Sequence, residues 1–301
     1  MNSNFRLLKT QLLADFPSGS SIIFYKGQFY IIGDDATCIL VLDRSYQKVD
    51  SVQLFEYPDK RIPKAHKTDF EGVTILTIDG IEYILIVGSA ATELRKRICL
   101  IPLLNNKLGV KAQTTLFFET QVFINRIQDQ GIKEINIEGV CTIGNDLLLG
   151  NRGNRTNPTN HIIITSQNFW EHQEDAKLKI LSLIIPGTDL QNIVGLSELC
   201  YIAASDLLLI TLTSENTTNA YDDGVIGDSY IGLIENVSEQ LKDTTLTIDR
   251  MVNLSQIDSR FKNEKIEGIC VEFISSSDIL IHLIADNDTG ESRLFTLRWL
   301  S

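Results

Sequence analysis

Histidine is scarce in this chain, and its cysteines form no familiar pattern. The four histidines, at 66, 161, 172 and 282, are scattered. No His-Glu-x-x-His zinc helix is present, and neither a nucleophile elbow nor a phosphate-binding loop is found. Five cysteines, an odd number with no close pair, exclude a disulfide framework and a zinc site of the usual spacing. No apolar run approaches the roughly 18 residues that a membrane helix needs. Basic charge is short as well. Lys and Arg number 27 against 39 Asp and Glu, and the net charge of -12 argues against a nucleic-acid binder, whose affinity rests on Lys and Arg. The first ten residues lack the apolar core of a signal peptide, so a cytoplasmic location is expected. Neither a linker nor a break in composition divides the chain, and residues 1–301 read as a single domain.

What is present is β-structure. Short Val/Ile/Leu/Tyr/Phe runs alternate with Gly, Asn and Asp turns, and no long helical period appears. Hairpins are predicted at 21–32, 73–87, 140–149, 199–211 and 269–284. A third apolar strand follows each, at 38–42, 98–102, 161–165, 230–234 and 294–298. A fourth follows in four of the five units, at 48–55, 111–118, 177–185 and 246–254. The fifth unit ends one strand short, and residues 5–13 offer the missing strand from the other terminus. The predicted fold class is all-β: a five-bladed β-propeller with four-stranded antiparallel blades, the N-terminal strand closing the last blade. That closure joins the termini and removes an exposed sheet edge.

A repeated phrase supports this reading. Lys265-Ile266-Glu267-Gly268-Ile269-Cys270 is echoed by Asn136-Ile137-Glu138-Gly139-Val140-Cys141 and, more loosely, by Asp69-Phe70-Glu71-Gly72-Val73-Thr74. These hold the only Glu-Gly dipeptides in the chain, and each opens a strand-like run. Gly195-Leu196-Ser197-Glu198-Leu199-Cys200 fits the same frame with Ser197 at the Glu position. Counting back from the Asp-Leu-Leu-Leu runs at 146 and 206 makes Glu198 the equivalent instead; the cysteine register favours Ser197. In the first unit Ser20 fits best, with Ser18 and Ser21 as alternatives. The first strand of each blade lines the channel of a propeller, so Ser20, Glu71, Glu138, Ser197 and Glu267 are expected around one axis. Three carboxylates in a narrow channel repel one another and are costly to desolvate unless protonated or neutralised by a cation. An all-oxygen set suits a hard cation, and the larger Ca²⁺ better than Mg²⁺. A plainer reading is that each Glu ties down its own turn.

The Ser-x-Leu/Ile and Glu-Gly-Val/Ile phrases resemble those of the SdiA-regulated-like five-bladed propellers and of the calcium-activated nucleotidases (apyrases). Gly33-Asp34-Asp35, Lys67-Thr68-Asp69-Phe70-Glu71-Gly72 and Gly150-Asn151-Arg152-Gly153 resemble uncharacterised bacterial propellers most of all. The resemblance spans the whole chain on short motifs, and implies a Ser/Glu ring around a central calcium. It departs at Ser197-Glu198-Leu199, where Ser-Gly-Leu is usual, and at Ser20-Ser21-Ile22.

Loops expected on the same face offer Asp34, Asn151, Arg152, Asp286 and Asn287, with Lys64, His66 and Lys67 approaching before Glu71. Arg152 and Arg155 suit an anionic small molecule, or else neutralise surplus carboxylate. Three functions compete. One is a calcium-dependent hydrolase of a phosphorylated or ester substrate, with Arg152 and Lys67 orienting the anion. The second is a non-catalytic binding or scaffold propeller pinned by a structural ion. The third is a glycosidase using facing carboxylates.

Overall fold

The computed structural model describes residues 4–104, 107–108, 115–187, 194–215, 219, 226–275, 278–286 and 290–300. Five antiparallel sheets form a ring, a five-bladed β-propeller. Blade one runs Gly19–Tyr25, Gln28–Gly33, Cys38–Asp43 and Lys48–Gln53 from the axis outward. Blade two comprises Phe70–Ile78, Ile81–Gly88, Arg97–Leu104 and Leu116–Glu119. Blade three follows with Ile137–Ile143, Asp146–Asn151, His161–Ser166 and Lys179–Ile184, and blade four with Val194–Ile202, Leu207–Glu215, Ile226–Ile234 and Arg250–Asn253. Blade five is Ile266–Ser275, Asp278–Asp286 and Ser292–Leu300, completed by Phe5–Leu13 in antiparallel register with Ser292–Leu300. The predicted closure by the N-terminal strand is therefore the one observed.

The middle strands read as unbroken apolar runs because both of their faces are covered by neighbouring blades. Five buried clusters result, one per interface. That between blades four and five holds Leu209, Leu283 and Phe295; that between blades five and one holds Ile22, Phe29 and Ile284. The ring has no single centre of apolar mass, and each blade is held by two neighbours.

Two departures from the sequence reading, a divided strand and a short helix, have local causes. The strand expected at 246–254 is two strands in different sheets. Thr245–Thr247 adds in parallel to the outer edge of blade three, while Arg250–Asn253 pairs within blade four. Leu246 and Ile248 are buried between those blades. The chain crosses from one sheet to the other at Ile248–Asp249, where the Asp249 carboxylate accepts from Glu235 N at 2.7 Å. The strand expected at 111–118 is described from Leu116 to Glu119; residues 109–114 lie outside the described residues. A helix, Gln121–Asp129, links blades two and three and buries Phe123, Ile124 and Ile127 on one face. Its apolar spacing was visible, but nine residues are too few to stand out against the β-pattern. Among the described residues no helix is long and apolar enough to cross a membrane.

The closing interface also contains a buried histidine. His282 is 3% exposed. Its Nδ1 lies 2.6 Å from the Tyr46 hydroxyl, which also meets the Thr296 hydroxyl at 2.6 Å. Its ring packs edge-on against Phe29. Burial holds its pKa down at about 3, with Lys9 adding to the effect. The unfolded chain binds a proton near pH 6.5 that the native state refuses, so stability falls as pH drops from about 6.5 to 3. His282→Gln is expected to flatten this limb by up to roughly 4 kcal/mol, measured as urea midpoints across that pH range.

Candidate functional site at the channel mouth

Each innermost strand carries a β-bulge, and in every blade it falls at the repeated position. Pairing skips from Gly19 to Ser21, Phe70 to Gly72, Ile137 to Gly139, Leu196 to Glu198 and Ile266 to Gly268. The residues left out of the ladder are Ser20, Glu71, Glu138, Ser197 and Glu267. A bulge re-aims the side chain of its extra residue, and bulges recur beside functional sites. This places Ser20, rather than Ser18 or Ser21, and Ser197, rather than Glu198, in the common frame.

The residue after each bulge forms an inner layer: Ser21, Gly72, Gly139, Glu198 and Gly268. The glycines let neighbouring strands approach closely. A methyl group on Gly139 would lie 2.7 Å from Glu198 Cα, and one on Gly268 would lie 2.9 Å from Ser21 Cα. Glu198 is 1% exposed and fills the space they leave. Its Oε1 accepts from Val140 N and Leu199 N, each at 2.8 Å, and its Oε2 meets the Ser21 hydroxyl. The Ser21 hydroxyl in turn accepts from Val73 N at 3.2 Å. Blades one to four are thus tied through one side chain. Burial raises the Glu198 pKa well above the usual range, although Ser21 and the N–H groups of Leu199, Val140 and Val73 pull it down.

Above this layer the ring carboxylates have basic neighbours. Arg152, 7% exposed, donates to Ser197 Oγ and Glu215 Oε2, each at 2.9 Å, and lies 3.8 Å from Glu138. Lys265 sits 2.9 Å from Glu267 and 3.5 Å from Glu215. Lys67 pairs with Asp34, and with Asp69 at 2.7 Å; Arg95 reaches the other Asp69 oxygen at 2.7 Å. Oxygens of Asp34, Asp69 and Glu71 gather within 4.8 Å of one another, the one such acidic group among the described residues. The three ring glutamates do not converge that closely on each other: Glu71 stands with Asp34 and Asp69, Glu138 near Arg152, and Glu267 beside Lys265.

Burial is the main influence on these groups. It raises Asp34 to about 6 and Glu138 to about 8, with Lys67 and Arg152 respectively opposing the rise. Glu71 is pushed well above the usual range by burial and then by Asp69, Glu138 and Asp34. Burial works against the charged form of Lys67, yet Asp34, Asp69 and Glu71 together hold its pKa above the ordinary value. The Oε2 of Glu267 and the Oδ1 of Asp34 are buried without a hydrogen-bond partner. Six carboxylates (Asp34, Asp69, Glu71, Glu138, Glu215 and Glu267) meet four cations (Lys67, Arg95, Arg152 and Lys265). Fully ionised, the mouth carries two uncompensated negative charges. With only oxygen donors and orphaned carboxylate oxygens, the residues fit a hard divalent ion.

The expected ligand-binding residues divide differently. Arg152 and Lys67 are engaged by protein acceptors. Asn151 is 2% exposed and serves the fold, its Oδ1 accepting from Asn136 N at 2.8 Å. Asp34 and Lys67, with Asp35 and Arg61, line a cavity of about 290 Å³ beside the mouth, and the charge of Asp286 acts on Arg61. Asn287 lies outside the described residues; Arg155 and His66 are exposed. Sequence reasoning missed Asp69, Lys265, Glu215 and Arg95 as members of the network. A signal existed for two of them: Asp69, Asn136 and Lys265 each stand two residues before a ring glutamate, and the Asn136 amide donates to Glu138.

Residues 15–299 match the model of a "Family of unknown function (DUF6929)". No curated protein matches the sequence. Among solved structures, Myxococcus xanthus glutaminyl cyclase is similar at 13% identity and a TM-score of 0.54, over 99% of this chain and 97% of that one. An α-L-arabinofuranosidase from Lactobacillus brevis is similar at 11% identity and a TM-score of 0.53, over 94% and 91%. At these identities the likeness is one of fold, and propellers host many chemistries.

Proposed function

The chain belongs to this family of unknown function, and we propose that it is a binding or scaffold propeller whose channel mouth takes a divalent cation, calcium by its donor chemistry. The observation that carries the reading is the recurrence of Ser20, Glu71, Glu138, Ser197 and Glu267 at the bulge of all five innermost strands, in a mouth that, fully ionised, is short of two positive charges. These five residues would hold the ion once Glu71, Glu138 and Glu267, which stand here with separate partners, turn onto it; the ion would supply that charge and tie the blades across the axis. Calcium suits the site because it accepts irregular oxygen shells at long distances.

A hydrolytic role for the same mouth has less support. Arg152 and Lys67 already face carboxylates of their own, at 7% and 9% exposure, so a substrate anion would have to displace them. Among the described residues of the mouth no acid–base pair stands apart from the ion-paired network, which also weighs against a glycosidase.

Protein purified without chelator should carry about one calcium per chain by elemental analysis, and chelation should lower the melting temperature. The triple variant Glu71→Gln, Glu138→Gln, Glu267→Gln should lose both responses. Protein without bound calcium, whose melting is indifferent to calcium and chelator alike, would sink the proposal. Calcium-dependent turnover on a panel of phosphate esters and lactones would restore the hydrolase.

A further inference from the structure

The opposite face of the propeller holds a larger cavity that owes nothing to the ring. It measures about 520 Å³ and lies between blades four and five, at the hairpin-turn end of their strands. Its floor is apolar: Ile202, Leu207 and Leu233 from blade four, Ile279 and Trp299 from blade five. Its rim is polar, with Glu235, Asn236 and Arg250. That size and composition belong to the range in which small-molecule sites are found.

Two observations separate this cavity from a chance groove. Trp299 is 5% exposed, and its indole N–H is buried without an acceptor. The ring stacks on Phe5, with centroids 5.5 Å apart, so it stands as a fixed aromatic wall of the cavity. The rim charges are also unspent. Among the described residues, neither the Glu235 carboxylate nor the Arg250 guanidinium has an ion pair or hydrogen bond within the molecule; Arg250 has only the Phe5 ring, 5.9 Å away. At the channel mouth, by contrast, Lys67, Arg152 and Lys265 are all paired with carboxylates.

From the apolar floor and the two opposite, unpaired rim charges, we propose that this cavity binds a small zwitterion with an apolar body, the chemistry of a short hydrophobic peptide with both termini free. Arg250 meets the carboxylate, Glu235 meets the ammonium, and the side chains lie over the floor against Trp299. The proposal is independent of the cation at the other mouth.

The chain has two tryptophans, so Trp170→Phe leaves Trp299 as the sole reporter. Leucyl-leucine should change its fluorescence saturably. Leucyl-leucinamide, lacking the carboxylate, and N-acetyl-leucyl-leucine, lacking the ammonium, should each bind about tenfold more weakly. Arg250→Gln should erase the difference between the free peptide and its amide, and Glu235→Gln that between the free and acetylated peptides. Lys177→Glu, on blade three, should change nothing. Titration calorimetry on the native sequence serves if Trp170→Phe perturbs the fold. No saturable binding at millimolar peptide would overturn the proposal, as would affinities indifferent to both rim substitutions or to both blocked termini.

Discussion

Glu198→Ala is expected to be among the most destabilising single substitutions in this protein, costing about 3–4 kcal/mol, while Glu198→Gln costs about 1 kcal/mol or less. The alanine variant strips acceptors from Val140 N and Leu199 N and the partner from the Ser21 hydroxyl, all at a site Glu198 fills at 1% exposure. Each orphaned buried group costs about 1–3 kcal/mol, partly relieved if water enters. Glutamine keeps one oxygen for the two N–H groups and can donate to Ser21. Its tolerance would fit a carboxyl that is held protonated and acts as a hydrogen-bonding tie. Urea denaturation of the two variants decides it. Equal losses would mean that the negative charge of Glu198, and not its hydrogen bonding, is what matters.

In chelator, stability should fall as pH rises from about 5 to 8, and calcium should abolish or reverse that trend. The cause is the buried mouth. A carboxyl whose folded pKa is raised binds its proton more tightly in the native state than in the unfolded chain. Its protonated form therefore stabilises the fold below the folded pKa, and this contribution fades as pH climbs through it. Glu138, raised by burial to about 8, and Asp34, raised to about 6, set the window, with Glu71 raised in the same direction. The loss should amount to a few kcal/mol, roughly, across the window. Calcium competes with those protons, so its stabilisation should grow with pH and be largest near pH 8 and above. His282 contributes with the opposite sign, at lower pH and from another interface, and a His282→Gln background removes it from the comparison. Thermal melts with calcium and with chelator, at half-unit pH steps, give both curves. A calcium effect independent of pH would place the ion elsewhere than on these carboxyls.

Much of this architecture is legible in the chain itself, for a definite reason. Period-two apolar runs and turn residues specify strands locally, and a propeller repeats one supersecondary unit, so an error in one blade is corrected by the others. The repeated Glu-Gly likewise has a local cause: the bulge needs an extra residue, and the close approach of the next blade leaves no room for a side chain on the residue that follows. Glu198 shows where this logic stops. Two registers competed in blade four because a Ser-Glu pair can be placed in the repeat either way, and only strand pairing put Ser197 in the bulge and Glu198 on the axis.

By itself, then, the sequence determined the five-bladed β-propeller, the terminal strand that closes it and the three glutamates, Glu71, Glu138 and Glu267, that stand in register around the channel, since each follows from short-range periodicity and repetition. Tertiary structure alone decided which charges meet. Asp69, Arg95, Arg152, Glu215 and Lys265 come from loops and strand ends of different blades, far apart in the chain, and their pairing depends on how the blades pack. The split of Thr245–Thr247 from Arg250–Asn253, the plugging of the axis by Glu198 and the cavity under Trp299 were settled in the same way, by burial between neighbouring blades, which no local pattern encodes.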